Sequence, residues 1–518
     1  MTSESEWTSD FDDFIGGNRD APLDYDDDDD EPKSKTSSTS LSDFLAKSAS
    51  RDLTGVTTRL FSLGQDLIVN DYVGNMGFEE VTDWEYYYQN EEDIEDRKVV
   101  NPNPFDSSTP KRTRTNSGSV IRIFRGNFVG NLGNGLRSKG LDNRILIKEF
   151  TGVFAQQLAK NEQQAVAKLQ SALVESKYDN AKEGDWVQAA ASRSVLGKMD
   201  SDNVSKLLQE LTKAPHVGIL GEVNLAELED EEGFPNDFYR ALGVPPPQTG
   251  AIWIVYDYQG LNTIQSYTSM PPQKRRSKLP LKKSFFGGYQ EPPKLPKFEE
   301  RTKYVVKGIT AQSLLALANL HEAGLVHRSI GRSSLVLTGP SQDKTEASSI
   351  YATRPQALTV KLSDFGFAGP MQESAADPEF VARARTFGIS LREGDTSLVA
   401  TNFAMAEDLH ALGFVMLGLL LVALADLPTA NSPMPATDED TLQKLLSEIF
   451  DKNFGAFREY VEEEEAWTKL VQVLDEKNGA GWEVLETLFL ARETIAKNQN
   501  SLEIVTARGL LKNRFFAE

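Results

Sequence analysis

Gln312-Ser313-Leu314-Leu315-Ala316-Leu317-Ala318-Asn319-Leu320-His321-Glu322-Ala323-Gly324-Leu325-Val326-His327-Arg328-Ser329-Ile330 opens with apolar residues at helical spacing and closes on a polar loop. The pattern predicts a strongly amphipathic helix from Tyr304 to Ala323, stopped at Gly324. Farther along, Val360-Lys361-Leu362 leads into Ser363-Asp364-Phe365-Gly366. Helix, loop, short strand and Asp-Phe-Gly in that order are the core around which the rest of the chain is read.

Upstream of this helix the strand signals collect. Val120-Ile121-Arg122-Ile123-Phe124, Arg144-Ile145-Leu146-Ile147-Lys148-Glu149-Phe150 and Ile252-Trp253-Ile254-Val255-Tyr256 are β-branched or apolar runs. Between them, 153–174 has helical periodicity through Phe154, Leu158, Ala165, Leu169 and Leu173, and 203–212 repeats it more briefly. Downstream, helix patterns dominate: Ala411 to Ala425 is apolar all round, followed by Thr441 to Phe450, Trp467 to Leu474 and Trp482 to Ala496. A small β-rich part followed by a larger helical part is α+β.

Composition divides the remainder. Residues 1–55 are acidic and rich in Ser and Thr, with the run Asp26 to Asp30, and cannot bury enough apolar surface to offset the entropy of ordering. Residues 56–118 form an extension and linker whose aromatic residues, including Tyr72, Phe78, Trp84 and Tyr86, are expected to pack on the folded domain or on a partner. The folded domain is expected to start near Ser119, giving a first part at 119–258 and a second at 259–518. A basic, proline-rich insertion is expected at 271–297, carrying Lys274, Arg275, Arg276, Lys278, Lys282 and Lys283. This 274–283 segment and the N-terminal extension are the expected protein-binding regions.

The 518 residues carry a formal net charge of -22, which argues against nucleic-acid or anionic-membrane binding because there is no global basic field. With no cysteine and four scattered histidines, disulfide, thiolate and zinc chemistry find no ligand pattern. Met1-Thr2-Ser3-Glu4-Ser5-Glu6-Trp7 has neither an apolar signal core nor the acid-poor character of a transit peptide. The run Ala411 to Ala425, at about 15 residues, is short for a bilayer span and reads as a buried core helix.

Taken in order, 120–517 resembles the protein kinase superfamily, and specifically a divergent member of pseudokinase type. The match is closest over Gln312–Arg328, in the form Q-x-L-x-A-L-x-x-L-H-x-x-G-L-V-H-R, and at Asp364-Phe365-Gly366. The resemblance implies a two-lobed kinase-like fold with an N-terminal extension and loop insertions. It implies that Gly126 and Gly130 belong to the loop over the ATP phosphates, although Phe128 stands where a middle glycine is usual. Lys148, at the end of Ile145-Leu146-Ile147, matches the lysine that pairs with α/β-phosphates and a helix glutamate. Glu162 is the candidate partner, while Leu207 to Val217 reads alternatively as the end of that helix and would put Asn203 or Val204 in the place. Tyr256 falls at the gatekeeper position, with the Asp257 carbonyl and Gln259 amide facing the adenine. Asp364 would hold magnesium.

The resemblance fails where transfer chemistry would be. Ser329 stands in the catalytic aspartate's place, Ser334 in that of the metal-binding asparagine, and Gly331 in that of a lysine. A serine hydroxyl is not a base at pH 7 and brings no charge to a metal. Asp377-Pro378-Glu379 is a displaced counterpart of A-P-E, and Val505 replaces its customary arginine. Glu407-Asp408-Leu409 keeps the buried aspartate that anchors the loop. Three readings follow: a pseudokinase scaffold or allosteric regulator that binds ATP and magnesium, an atypical active Ser/Thr kinase, or an interaction protein with an occluded cleft. The resemblance places such a chain in the cytoplasm or a plastid stroma.

Overall fold

The computed structural model describes residues 60–81, 113–178, most of 205–226, 234–269 apart from 249, 297–339, 355–424, 444–499 and 505–517. The acidic stretch 1–55, the aromatic cluster 84–88, Asn203 and Val204, residues 340–354 and the basic insertion up to 296 lie outside the described residues.

The chain is a mixture of helices and sheet. Strands β1 (Leu60–Phe61), β2 (Leu67–Val81) and β3 (Thr113–Phe128) come first. Helix α1 (Gly130–Ser138), β4 (Arg144–Thr151) and the long α2 (Val153–Tyr178) follow. Next are β5 (Ile219–Val223), α3 (Phe234–Leu242) and β6 (Ile252–Asp257). The six strands form one sheet in the order β1-β5-β6-β4-β3-β2, antiparallel except between β1 and β5. Strand β4 is central, and its Ile145, Ile147, Lys148, Glu149, Phe150 and Thr151 are buried.

The sheet therefore begins well before Ser119. Strand β2 pairs with β3 from Leu67–Phe128 to Val81–Thr113. Phe61 packs on Phe128 at 5.2 Å between ring centroids, and Tyr72 on Phe124 at 5.5 Å. The part of the 56–118 extension that is described belongs to the sheet. The acidic and Ser/Thr/Pro-rich run 82–112 interrupts a pair of strands, and by composition a long connection inside a hairpin looks the same as an interdomain linker.

The helical part starts with α4 (Ile264–Ser269). A helical segment then runs from Phe298 through a π turn at Arg301–Lys307 into α5 (Gly308–Glu322). Four short strands, β7 (Leu325–Val326), β8 (Leu335–Thr338), β9 (Thr359–Leu362) and β10 (Gly369–Pro370), form two ribbons, β8 with β9 and β7 with β10. Helices α6 (Pro378–Thr386), α7 (Leu398–Leu424), α8 (Phe454–Glu463), α9 (Thr468–Phe489, interrupted at Glu476–Gly479) and α10 (Ala491–Lys497) complete the main elements.

Helix α7 is longer than the 411–425 run suggested, because Ala404 and its neighbours carry the helix on through residues whose apolar character is weaker. It has the length and composition of a membrane span, but 83% of its apolar window is buried inside the molecule. Phe403, Leu409, Leu412, Val415 and Leu419 lie in the same core as Leu314, Leu317, Phe365, Leu485 and Phe489. A helix apolar on every face is satisfied by being surrounded with protein.

Candidate functional site

Lys148 lies on β4 opposite Ile123 of β3 and Ile254 of β6. Its amine reaches Glu162 of α2 at 3.0 Å and Asp364, just past β9, at 2.8 Å. It also stands over the Tyr256 ring, 4.8 Å from the centroid. Lys148 and Glu162 are buried, and the Asp364 side chain retains 32% of its exposure. Three residues far apart in sequence thus form one charged cluster with a single open member.

The charges are set by burial and by one another. Burial works against the Lys148 ammonium, but Asp364 and then Glu162 hold its pKa above the ordinary value. Burial pushes Glu162 up despite Lys148 beside it. Burial also opposes the Asp364 carboxylate, yet the Lys148 ammonium keeps its pKa below the usual range. One cation facing two carboxylates leaves the more exposed carboxylate ionised. For Tyr256, burial and the carboxylates of Glu162 and Asp364 push the phenol well above its usual value.

Of the candidate helix partners, Glu162 meets the lysine, while Asn203 and Val204 lie outside the described residues. The segment ending at Val217 has another task. Lys361 of β9, fully buried, donates to the carbonyls of Leu211 at 2.5 Å and Ala214 at 2.9 Å. Backbone bonds from Val217 to Leu362 and from Leu362 to Pro215 then tie that segment to β9.

Gly126 and Gly130 do not form a loop. Gly126 lies inside β3 opposite Ile145, and a Cβ there would come within 2.3 Å of the Ile68 carbonyl. Gly130 opens α1 with φ +57, and its Cβ would lie 2.7 Å from the Gln65 carbonyl. Close backbone approach and a left-handed conformation account for both glycines. The connection between β2 and β3 at the Thr151 end of β4 lies outside the described residues.

Asp257 ends β6, and its buried carboxylate accepts from Gly218 N at 2.6 Å and from the Gln259 side-chain amide. Its amide in turn donates to Gly218 O at 3.1 Å. The side chains of Asp257 and Gln259 therefore bond within the turn after β6.

In the loop after β7, Asp408 of α7 accepts from His327 N at 2.7 Å, Arg328 N at 2.9 Å and His321 Nε2 at 3.1 Å. Burial alone would raise the Asp408 pKa, but these donors hold it below the usual carboxylate range. Arg328 has φ 65 and Asp364 φ 62, left-handed conformations that cost a non-glycine residue about 1 kcal/mol or more. The strained pair is bridged by His327, whose Nε2 donates to the Ser363 carbonyl at 2.9 Å. Burial lowers the His327 pKa, so the ring is neutral, and with its proton on Nε2 it accepts at Nδ1 from the Ser329 hydroxyl at 3.2 Å. Ser334 is closed on itself: its Oγ accepts from Gly331 N at 3.0 Å and donates to Gly331 O at 2.9 Å. The hydroxyls of Ser329 and Ser334 are thus both occupied by local bonds.

Past Asp364 the chain is short and packed. Arg328 donates to Pro370 O at 3.3 Å and to Ser374 Oγ at 3.2 Å. Asp377 caps α6 by accepting from Glu379 N at 3.0 Å. Arg383 pairs with Glu407 of α7 at 2.8 Å. Glu379 Oε2 is buried without a hydrogen bond among the described residues. Burial first, then Asp377, push its pKa up to about 7, against the pull of Arg383.

A pH dependence follows. The folded chain holds the Glu379 proton up to about pH 7, whereas the unfolded chain loses it near 4.5, so stability declines between those values as pH rises. Glu379→Gln is expected to flatten that decline, by on the order of 2 kcal/mol at pH 8, in urea unfolding measured from pH 5 to 8.

Sequence reasoning missed Asn161 and Lys361, because an amide or a lysine next to a motif residue carries no signal of what it will touch. Asn161 Nδ2 donates to Gly366 O at 2.5 Å and Ala368 O at 2.7 Å.

No family model and no curated protein matches this chain. Solved structures do match, among them a chain of the CAK complex from Chaetomium thermophilum bound to ATP-gamma-S, at 15% identity and a TM-score of 0.32. The match spans 77% of this chain and 87% of that one.

Proposed function

We propose that this chain is a pseudokinase: a protein-kinase-like fold of two lobes that binds a nucleotide and acts on protein partners as a scaffold or allosteric regulator, without efficient phosphoryl transfer. One contrast carries the reading. Lys148, Glu162 and Asp364 are assembled within 3.0 Å contacts, while Ser329 and Ser334 have their hydroxyls tied to His327 and Gly331.

The residues present fit half of an ATP-magnesium site. Lys148 offers an ammonium to the α/β-phosphates, and the base would meet the backbone after β6, where the Asp257 amide is bonded to Gly218 O. Asp364 is a partly open carboxylate for magnesium. Among the described residues no three His, Asp or Glu side chains converge as a metal site, so a magnesium ion would depend on Asp364 and the phosphates themselves. Nothing at Ser329 takes a proton from an acceptor hydroxyl at neutral pH, and transfer loses its base and its second metal ligand together.

Thermal unfolding with ATP, with and without magnesium, tests this. At about 100 times Kd, nucleotide adds roughly 2.7 kcal/mol, and magnesium should enlarge the shift. Phosphate transfer to protein or peptide should remain at background. Transfer that is abolished by Lys148→Met would instead establish an atypical kinase, and no nucleotide shift would favour an occluded cleft.

A further inference from the structure

We propose that Asn161 is a positioning residue that holds Asp364 against Lys148 and thereby makes the metal-binding half of the site preformed. The inference rests on the nucleotide reading above.

Asn161 is buried and precedes Glu162 on α2. Both N–H groups of its amide are spent on the segment after Asp364, at Gly366 O and Ala368 O. Both acceptors are carbonyl oxygens, so the amide can point only one way. Gly366 packs against Leu158 one turn earlier on α2, where a Cβ would come within 3.3 Å. Beyond this contact Phe365 is buried against His327, with ring centroids 5.3 Å apart. The segment is therefore held from α2 on one side and from the helical core on the other.

Asp364 needs that grip. It is in a left-handed conformation, and one carboxylate oxygen faces Lys148 while the other accepts from Ser363 Oγ at 3.2 Å. A strained residue persists only when its surroundings over-determine it. Asn161 and Glu162 are consecutive, so one helix fixes the lysine's buried partner and the backbone that carries its exposed partner. If α2 shifts, both contacts break together.

The test uses the full chain with Asn161→Leu, which keeps the volume and removes the donors, and Asn161→Asp, which sets a carboxyl against the two carbonyls. Affinity for a non-hydrolysable ATP analogue is measured with and without magnesium. Two lost buried hydrogen bonds predict that the magnesium-dependent gain in affinity shrinks on the order of ten- to thirtyfold while metal-free affinity stays close to wild type. Equal loss in both conditions, or an unchanged magnesium gain, overturns the proposal.

A second measurement does not depend on nucleotide. Lys148 acetylation by acetic anhydride, followed by mass spectrometry, should be faster in both variants because Asp364 no longer covers the amine. An unchanged rate overturns the proposal even if wild type binds no nucleotide; a faster rate in that case supports the positioning role and leaves the nucleotide reading as the part that failed.

Discussion

Lys148→Met is expected to lower unfolding free energy by on the order of 3 kcal/mol and to abolish the nucleotide binding proposed above. The side chain is buried, with 8% exposure, between Glu162 at 3.0 Å and Asp364 at 2.8 Å. Methionine fills most of the volume but leaves two carboxylates facing each other without a cation. Glu162, with 3% exposure, then has to take up a proton or remain as an uncompensated buried charge. Because the Lys148 pKa lies above its ordinary value, the ammonium persists throughout the working pH range, and the deficit should not vanish at any neutral or mildly alkaline pH. Urea unfolding and titration with ATP measure the two effects. The double variant Lys148→Met with Glu162→Gln separates them: it should recover part of the stability, since the stranded charge is gone, without recovering the nucleotide. A single variant as stable as wild type would mean that the cluster is solvated and not the buried triad described.

The second large effect is at Asp408. Replacing it by alanine removes the acceptor of three buried donors, His327 N, Arg328 N and His321 Nε2. It also withdraws the contact that holds Arg328 at φ 65. Each stranded donor costs about 1–3 kcal/mol, and the sum should be roughly 4 kcal/mol at pH 7. The sign with pH follows from the lowered pKa of Asp408. Its stabilisation is complete above the ordinary carboxylate value of 3.8 and is lost as pH falls through the lower value of the folded state. The difference between wild type and variant should therefore be flat from pH 5 to 8 and narrow only in acid, as read by denaturant unfolding at several pH values. A difference that closes near pH 6 would mean that Asp408 is not the titrating group.

Both positions are legible in the amino-acid sequence, and the reason is local. Helix α5 with its glycine stop and the apolar run of β4 follow from side-chain periodicity. Lys148, Asp364 and Asp408 stand out only through the resemblance of the stretches around them, Ile145–Lys148, Asp364–Gly366 and Glu407–Leu409, to kinase motifs. Gly126 and Gly130 mislead because a glycine needed for close approach of Ile68 or Gln65 to the backbone is indistinguishable, in sequence, from one that makes room for a phosphate. The start of the sheet at Leu60 is hidden because the 82–112 run has the composition of a linker, although the strands it joins are paired.

The sequence by itself determined that a β-rich part precedes a helical one, and that a long helix leads into a loop with serine at 329 and 334 and then to an intact Asp-Phe-Gly. Only the tertiary structure decided which glutamate meets Lys148, that Ser329 and Ser334 are bonded to His327 and Gly331, and that Asn161 grips the segment behind Asp364. The physical reason is range. Periodicity and turn chemistry act over a few neighbouring residues, whereas the charge cluster joins positions 148, 162 and 364, whose meeting depends on how the sheet, α2 and β9 pack.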